Sequence, residues 1–410
     1  MHLLRLVVED FRSYARAELH LRPGTITLLG HNGVGKTNLV EAAGYVATLA
    51  SHRVAQDAPL VRSGAPSAVI RAEVVRDGRV SLVELEIVPG RANRARLNGA
   101  PLARQRDVLG TLRTVLFAPE DLALVKGDPG ERRAFLDDLL VARQPRWSGV
   151  RADYDRALRQ RNALLRSGAP LWRPPRRGAR LRVAPEGDGG ATSGESRGQA
   201  REEALSTLAV FDDQLARIGA ALTYARLRLL RDLRPYLEGA YRSISAVDTL
   251  ATAQYRSSLR DEVATELAAG AVPDQEVLLQ AMLGTIEQLR RQEQERGVTL
   301  VGPHRDDLVL TLGDLPAKGY ASHGESWSFA LALRLAAFTL LRTDLGTDPV
   351  LILDDVFAEL DQGRRARLAE MVADCEQVLV TAAVPEDVPD HLVDGLVFDV
   401  VAGGVQSRPA

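Results

Sequence analysis

The stretch "TITLLGHNGVGKTNLVEAAGYV", residues 25 to 46, limits the possible folds of this chain more than any other segment. "TITLL" reads as a strand and "TNLVEAAGYVATLA" as a helix. Between them Gly30, four residues, then Gly35, Lys36 and Thr37 fit the phosphate-loop pattern completely. A strand that passes through a glycine-rich turn into a helix places the chain in the α/β class. The loop runs through Gly30, His31, Asn32, Gly33, Val34 and Gly35 to Lys36, Thr37 and Asn38. Its glycines let successive backbone N–H groups turn toward a β-phosphate. Lys36 adds charge between the β- and γ-phosphates, Thr37 offers a hydroxyl to Mg²⁺, and the helix N-terminus favours the anion. Lys36 is one of three lysines in a chain whose other basic residues are all arginines. That bias reflects base composition, yet the lysine kept here marks a need for an ammonium group.

A phosphate loop alone fits a kinase, a GTPase or a motor, and "VLILDDVFAELD", residues 350 to 361, narrows the choice. A buried strand delivers Asp354 and Asp355 at its C-terminal edge, where α/β sheets bind ligands. Asp354 is placed to hold Mg²⁺ through its water shell. Asp355 is placed to orient or deprotonate the attacking water.

Composition excludes several classes. No apolar run approaches the ~20 residues that span a bilayer, and the charges at Arg5, Glu9 and Asp10 come too early for a secretory signal. The single cysteine, Cys375, rules out an internal disulfide and a cysteine-based zinc site. A soluble, cytoplasmic protein is expected. The net charge of −2 carries no global basic footprint.

Three regions separate along the chain. Residues 1–130 alternate at period two in "HLLRLVVEDF", "SAVIRAEVV" and "VSLVELEIV", as strands do. Residues 131–297 carry helical spacing without strand signals, around a Pro-, Gly- and Arg-rich stretch near 167–200 that reads as disordered. Residues 298–410 return to α/β signals, with "DPVLILDDV" and "EQVLVTAA" as buried strands. A helical lobe therefore interrupts an α/β domain built from both ends of the chain.

The remaining anomaly is "YASHGESWSFALALRLA", residues 320 to 336. The run is apolar on nearly every face, so the helix should be buried, but it begins on small and polar groups. Such a start leaves backbone N–H groups and Ser322 free, and Gly324 permits close approach by another molecule: a second anion site. The order of phosphate loop, helical interruption, Ser-x-Gly-Glu helix and acidic strand resembles the ABC-type ATPases of chromosome maintenance.

Within that group, "EDFRSY", "GHNGVGKTNLVEA", "SHR" at 51–53, "FAPEDLALVKGDPGERRAFLD", "GPHRDDL" at 302–308, "SHGES" and "LILDDVFAELD" together resemble the RecF family of bacterial recombination mediators. The resemblance covers about residues 1–165 and 298–385. It implies an ABC-type, SMC-like phosphate-loop ATPase head with an inserted, mainly helical second lobe. It also implies ATP and Mg²⁺ as cofactors and an ATP-dependent homodimer. That dimer would clamp double-stranded DNA near single-strand gaps, with RecR and RecO, where RecA is loaded, in the nucleoid. Ser322, Gly324 and Glu325 would serve the nucleotide of the partner copy, and Asp361 matches the acidic residue of the dimer-facing loop. Arg12 and Arg53 stand either beside the nucleotide or on the surface as ordinary arginines.

Several family-level features are absent. Ala118 stands where many ABC ATPases place a glutamine, and Ala382 and Ala383 where a switch histidine sits; Asp355 replaces a common glutamate. "GPHRDDL" reads as a turn whose polar groups brace the sheet and a neighbouring helix, with Arg305 left as a candidate for contact at the lobe junction or with DNA. The arginines between Arg143 and Arg182 suit phosphate contact and equally a solvated helix face. Two other readings share part of the pattern: the ATPase subunit of a membrane ABC transporter, and a phosphate-loop kinase of a small metabolite. The missing groups predict slow turnover. Steady-state ATP hydrolysis by the isolated protein should be far below the rate of a motor, and many turnovers per second without a partner would contradict this.

Overall fold

In the computed structural model, which describes residues 1–172, 193–245, 249–260, 262–389, 392 and 395–408, the period-two runs near the N-terminus are strands. Strands β1 (His2–Phe11), β2 (Tyr14–His20) and β3 (Gly24–Leu29) lead into helix α1 (Lys36–Thr48). Then come β4 (Ala68–Arg76), β5 (Arg79–Ile87), β6 (Arg94–Leu97), β7 (Ala100–Pro101), β8 (Thr114–Phe117), α2 (Leu122–Lys126) and α3 (Pro129–Arg143). The middle of the chain holds α4 (Trp147–Ser167), α5 (Ala169–Trp172), α6 (Ser193–Ile244), β9 (Ala251–Arg256), α7 (Glu262–Ala268) and α8 (Gln275–Arg296). The C-terminal part holds β10 (Asp307–Leu312), β11 (Leu315–Pro316), α9 (Ala317–Tyr320), α10 (His323–Leu345) and β12 (Val350–Asp354). It ends with α11 (Gln362–Val372), β13 (Gln377–Ala382), β14 (Leu396–Val401) and β15 (Gly404–Ser407).

The chain divides into two compact units. One comprises Met1–Trp147, Asp232–Ala253 and Leu310–Ala410; the other comprises Ser148–Arg231 and Gln254–Val309. Helix α3, which lies in the region expected to be the helical lobe, belongs to the first unit because it packs on α2 and α10.

The first unit is built on two sheets. One is antiparallel, in the order β2-β1-β4-β5-β6-β7. Its alternation is visible in β4, where Ala68, Ile70, Ala72 and Val74 are buried and the residues between them are not. The other has the order β15-β14-β3-β13-β12-β8, parallel throughout except for the β14–β15 hairpin. Strands β12 and β13 are buried along their whole length, as parallel strands covered on both faces must be. Helix α1 packs against β1 and β4 of the first sheet and β8, β12 and β13 of the second. Helix α10 contacts β8, α2 and α3, which explains its apolar residues on every side.

The second unit buries Tyr154, Ala157 and Leu165 of α4, Leu208, Leu215 and Ala216 of α6, and Leu278, Met282 and Ile286 of α8. Strand β9 corrects the sequence-based expectation of a region free of strands. Its alternating "ATAQYR" buries Ala251, Ala253 and Tyr255, a six-residue signal easily lost among Arg-, Ala- and Leu-rich helices. The unit border falls inside β9 and β10. The stretch read as disordered near 167–200 falls largely on residues 173–192, outside the described residues; on either side of these the chain is helical. No helix among the described residues is long and apolar enough to cross a membrane.

The "GPHRDDL" turn braces its surroundings in the second unit, as expected. His304 Nδ1 lies 2.7 Å from Tyr154 Oη, Tyr255 Oη donates to Asp306 Oδ2 at 2.6 Å, and Ser258 N donates to Asp306 Oδ1 at 2.7 Å. Burial pushes the Asp306 carboxyl above the usual carboxylate range. Arg305 donates twice to Thr299 O, at 3.0 and 2.8 Å.

The same unit contains a fully buried guanidinium. Arg161 donates to Asp212 Oδ1 at 2.7 Å, Thr299 Oγ1 at 2.8 Å and Glu293 Oε2 at 2.6 Å. The side chains of Arg161 and Glu293 are both 0% exposed. Removing one member of such a pair strands its partner in a low dielectric. The Arg161→Leu substitution should therefore destabilise the protein by about 3–5 kcal/mol, read as a lower urea midpoint. A loss below about 1 kcal/mol, the scale of an exposed pair, would show that this network does not hold the unit together.

Candidate nucleotide-binding site

The loop after β3 has the backbone of an anion cradle. Gly33 and Gly35 adopt φ of 84° and 115°, which side chains resist. Gly30 is fixed for another reason: a Cβ there would lie 2.3 Å from the carbonyl oxygen of Val400 on β14. Gly35 is the N-cap of α1 and has no side chain to satisfy the first turn. The N–H groups of Lys36 and Thr37 therefore remain available for an anion. His31 supplies its carbonyl to Val34 N at 3.4 Å and to Lys36 Nζ at 3.4 Å, while Val34 packs on the core.

Lys36 is folded over this loop, with Nζ 2.8 Å from Gly30 O, 3.4 Å from Asn32 Oδ1 and 4.0 Å from Asp355 Oδ1. Thr37 Oγ1 donates to Asp354 Oδ1 at 3.0 Å. The sheet order explains the meeting, because β13 lies between β3 and β12 and the loop and the acidic pair sit at the same strand ends. Thr381, the penultimate residue of β13, ties the acids together. Its Oγ1 lies 2.7 Å from Asp354 Oδ1 and 3.3 Å from Asp355 Oδ1, and it accepts from Asp355 N at 2.8 Å. Asp355 holds φ at 51°, a strained value for this residue type. Burial raises its carboxyl above the ordinary range against the pull of the Lys36 ammonium, and the charge of Asp354 adds to the rise.

These residues fit Mg²⁺. Thr37 and Asp354 present oxygen donors, the hard set this ion prefers. Among the described residues no group of three or more His, Cys, Asp or Glu is placed to hold a metal ion.

An open cleft of about 240 Å³ is lined by Asn32, Gly33, Gly35, Lys36, Thr37, Asn38, Arg53 and Asp355. Arg53 thus stands at the cleft, with Nη1 3.0 Å from Asn38 Oδ1. Arg12 does not line it. Its Nε and Nη2 hold Glu41 of α1 at 2.8 and 2.6 Å, and its Nη1 donates to Pro59 O at 3.1 Å. Sequence reasoning passed over Glu41, Thr381 and Tyr14. The Tyr14 hydroxyl is buried beside Gly35 without a hydrogen-bond partner among the described residues, and burial pushes it up to about 12.

Ser322, Gly324, Glu325 and Asp361 do not line this cleft; they form a separate cluster. Two expectations about it are corrected. Ser322 Oγ is not free: it accepts from Glu325 N at 3.2 Å, while Ser322 N donates to Glu325 Oε2 at 2.8 Å, a reciprocal capping box. The side of Gly324 where a Cβ would stand is already covered, because two Arg364 guanidinium nitrogens lie 3.0 Å from that position. Arg364 also reaches Ser328 Oγ at 3.0 Å, and its backbone N donates to Asp361 Oδ1 at 2.9 Å. What stays open is the pair of N–H groups on His323 and Gly324, which have no acceptor among the described residues.

An α/β core carrying a phosphate loop, an acidic strand end and a buried signature-type helix defines an ATPase head of the ABC/SMC class. Residues 2–391 match the model of the RecF/RecN/SMC N-terminal domain family. Two similar proteins, both described as DNA replication and repair protein RecF, are those of Kineococcus radiotolerans and Frankia alni. The first is 59% identical over 96% of this chain and 95% of its own length, the second 56% identical over 99% of each. The chain belongs to the RecF family of DNA replication and repair proteins. A solved structure of the recombination mediator RecF with ATPrS in the RecFOR pathway superposes with TM-score 0.82 at 24% identity, covering 100% of this chain and 98% of that one. An SMC head bound to the winged-helix domain of ScpA gives 0.51 at 13% identity, covering 100% and 97%. The transporter subunit and the metabolite kinase gain no support from these matches.

The hydrogen bonds of Thr381 make it a positioning residue for both acids. Thr381→Val keeps the shape and removes those bonds. It should lower the rate of ATP hydrolysis about tenfold or more, the scale of a lost bond to a charged group, while Thr381→Ser stays near wild type. Equal rates for Val and Ser would remove Thr381 from the site.

Proposed function

We propose that this protein is an ATP-dependent DNA-binding factor of replication and repair. It holds ATP–Mg²⁺ with the loop from Gly30 to Asn38, with Thr37 and Asp354 toward the metal. When bound, Mg²⁺ neutralises developing charge on the phosphates. Lys36 swings from its own loop carbonyls to the β- and γ-phosphates, and Asp355 orients and deprotonates the attacking water. The carrying observation is the separation of the two half-sites: loop and acids share one cleft, while the signature helix presents its open N–H groups elsewhere. Two copies are therefore needed to enclose one nucleotide. ATP is sandwiched between the phosphate loop of one copy and Ser322, Gly324 and Glu325 of the other, with Asp361 at the contact.

The names of the relatives support a role at DNA. In this reading the ATP-bound dimer clamps double-stranded DNA near single-strand gaps in the nucleoid and helps RecR and RecO load RecA. Hydrolysis is weak, stimulated by DNA, and acts as the release timer. Ala118, Ala382 and Ala383 support slow chemistry, since none of them offers a polar group to the attacking water.

Light scattering with and without Mg-ATP tests the composite site. Wild type should double its mass with nucleotide, and Lys36→Ala and Ser322→Arg should each remain monomeric. An equimolar mixture of the two variants should regain a dimer, because one of its two sites pairs an intact loop with an intact helix. Failure of the wild type to change mass would overturn the sandwich.

A further inference from the structure

The turn after α1 carries a polar atom that nothing yet explains. His52 Nε2 is buried and has no hydrogen-bond partner among the described residues. It lies 3.8 Å from Asp354 Oδ2, and the two side chains are 17% and 4% exposed. Buried polar atoms in native structures are rarely left unpaired, and a polar pair separated by more than about 3.5 Å is too far apart for a direct hydrogen bond but open to one shared through water. The other oxygen of Asp354 is already committed, to Thr37 at 3.0 Å and Thr381 at 2.7 Å. His52 therefore faces the one carboxylate oxygen that remains for the water shell of a metal.

The turn is built to aim this ring. Ser51 Oγ is hydrogen-bonded to Glu41 Oε1 and accepts from Arg53 N at 3.0 Å and Val54 N at 3.1 Å. Glu41 is itself fully buried and pinned by Arg12. Ser51 thus locks the turn to α1, Arg53 lines the cleft, and His52 lies against the acidic strand end.

We propose that His52 is a positioning residue of the metal site: its Nε2 hydrogen-bonds a water held between Asp354 and Mg²⁺, fixing the outer shell of the ion. Direct coordination is not required, since Mg²⁺ keeps several waters and prefers oxygen. The inference rests on the Mg-nucleotide reading of the cleft and adds a residue to it.

The test uses the full-length protein and a fluorescent ATP analogue, with Mg²⁺ titrated from zero at fixed nucleotide and a parallel series in EDTA. Partners of this kind are worth about 10–100-fold in metal affinity. His52→Leu should raise the Mg²⁺ concentration at half-saturation about tenfold, with binding in EDTA and the melting temperature unchanged. His52→Gln, which places an amide near Nε2, should recover most of the loss. Identical Mg²⁺ curves for Leu and wild type would overturn the proposal. So would an equal loss in EDTA, which marks a plain structural role, or a Gln variant as impaired as Leu, which marks ring packing. A wild type whose binding ignores Mg²⁺ would overturn the cleft reading as well.

Discussion

Thr37 and Asp354 stand 317 positions apart in the chain, yet their side chains are joined at 3.0 Å. Everything that makes the site depends on that closure. It comes from a sheet in which β3, near the N-terminus, pairs in parallel with β13 and β14, and β13 in turn with β12. Parallel strands cannot be joined by hairpins, so the chain must leave and return, and a long excursion costs little extra closure entropy. The head can therefore accommodate a whole second unit between its two halves. Thr381 secures the join by reaching both acids from the middle strand, and Asp355 accepts an unfavourable φ of 51° beside it.

A second constraint is the buried acid on α1. Glu41 has no solvent exposure, so its charge must be compensated locally. Arg12 does this with two hydrogen bonds, and the hairpin between β1 and β2 is bent to let it. Asp10 and Arg12 have φ of 49° and 53°, and Arg12 N and Arg62 N cross-link the bend to Leu60 O and Asp10 O at 2.7 Å each. One buried carboxylate thus joins the antiparallel sheet, the phosphate-loop helix and the Ser51–Arg53 turn. Lys36 stands outside this frame: its ammonium reaches only the carbonyls of its own loop, Asn32 and Asp355.

The fold was legible where sequence pattern and burial share a period. The alternation of β4 and β5, the fully buried β12 and β13, and the all-round apolar α10 each bury what their spacing implies. Strand β1 departs from it, with Leu4 exposed and Leu6, Val7 and Val8 buried in a row beyond a register shift. Strand β9 was not legible, because six alternating residues are weak against long helical neighbours. In the site, the meeting of Lys36, Thr37 and Asp354 was expected because the phosphate-loop and acidic-strand patterns put particular residue types at fixed offsets from strand ends that the sheet brings together. Glu41, Thr381 and His52 were not, since their roles come from what the fold places opposite them. A glutamate at the sixth position of a helix looks solvent-facing until Arg12 and the Ser51–Arg53 turn close over it.

The signature helix shows how a motif can be recognised for one reason and held in place by another. Ser322 and Glu325 satisfy each other across the first turn, a local need that any exposed helix start has. Gly324 is small because Arg364 of the same chain lies against it. Neither fact requires a nucleotide. The capping box uses the N–H of Glu325 and the hydroxyl of Ser322, but leaves those of His323 and Gly324 pointing outward with a guanidinium beside them. Local stability thus draws on Ser322 and Glu325, while the N–H groups of His323 and Gly324 have no acceptor among the described residues. In the proposed sandwich, Ser322→Arg therefore acts twice, removing a cap worth about 1 kcal/mol and blocking the approach of the partner's nucleotide. Alanine at 322 removes only the cap, so the difference between the two substitutions isolates what the second copy's nucleotide would feel.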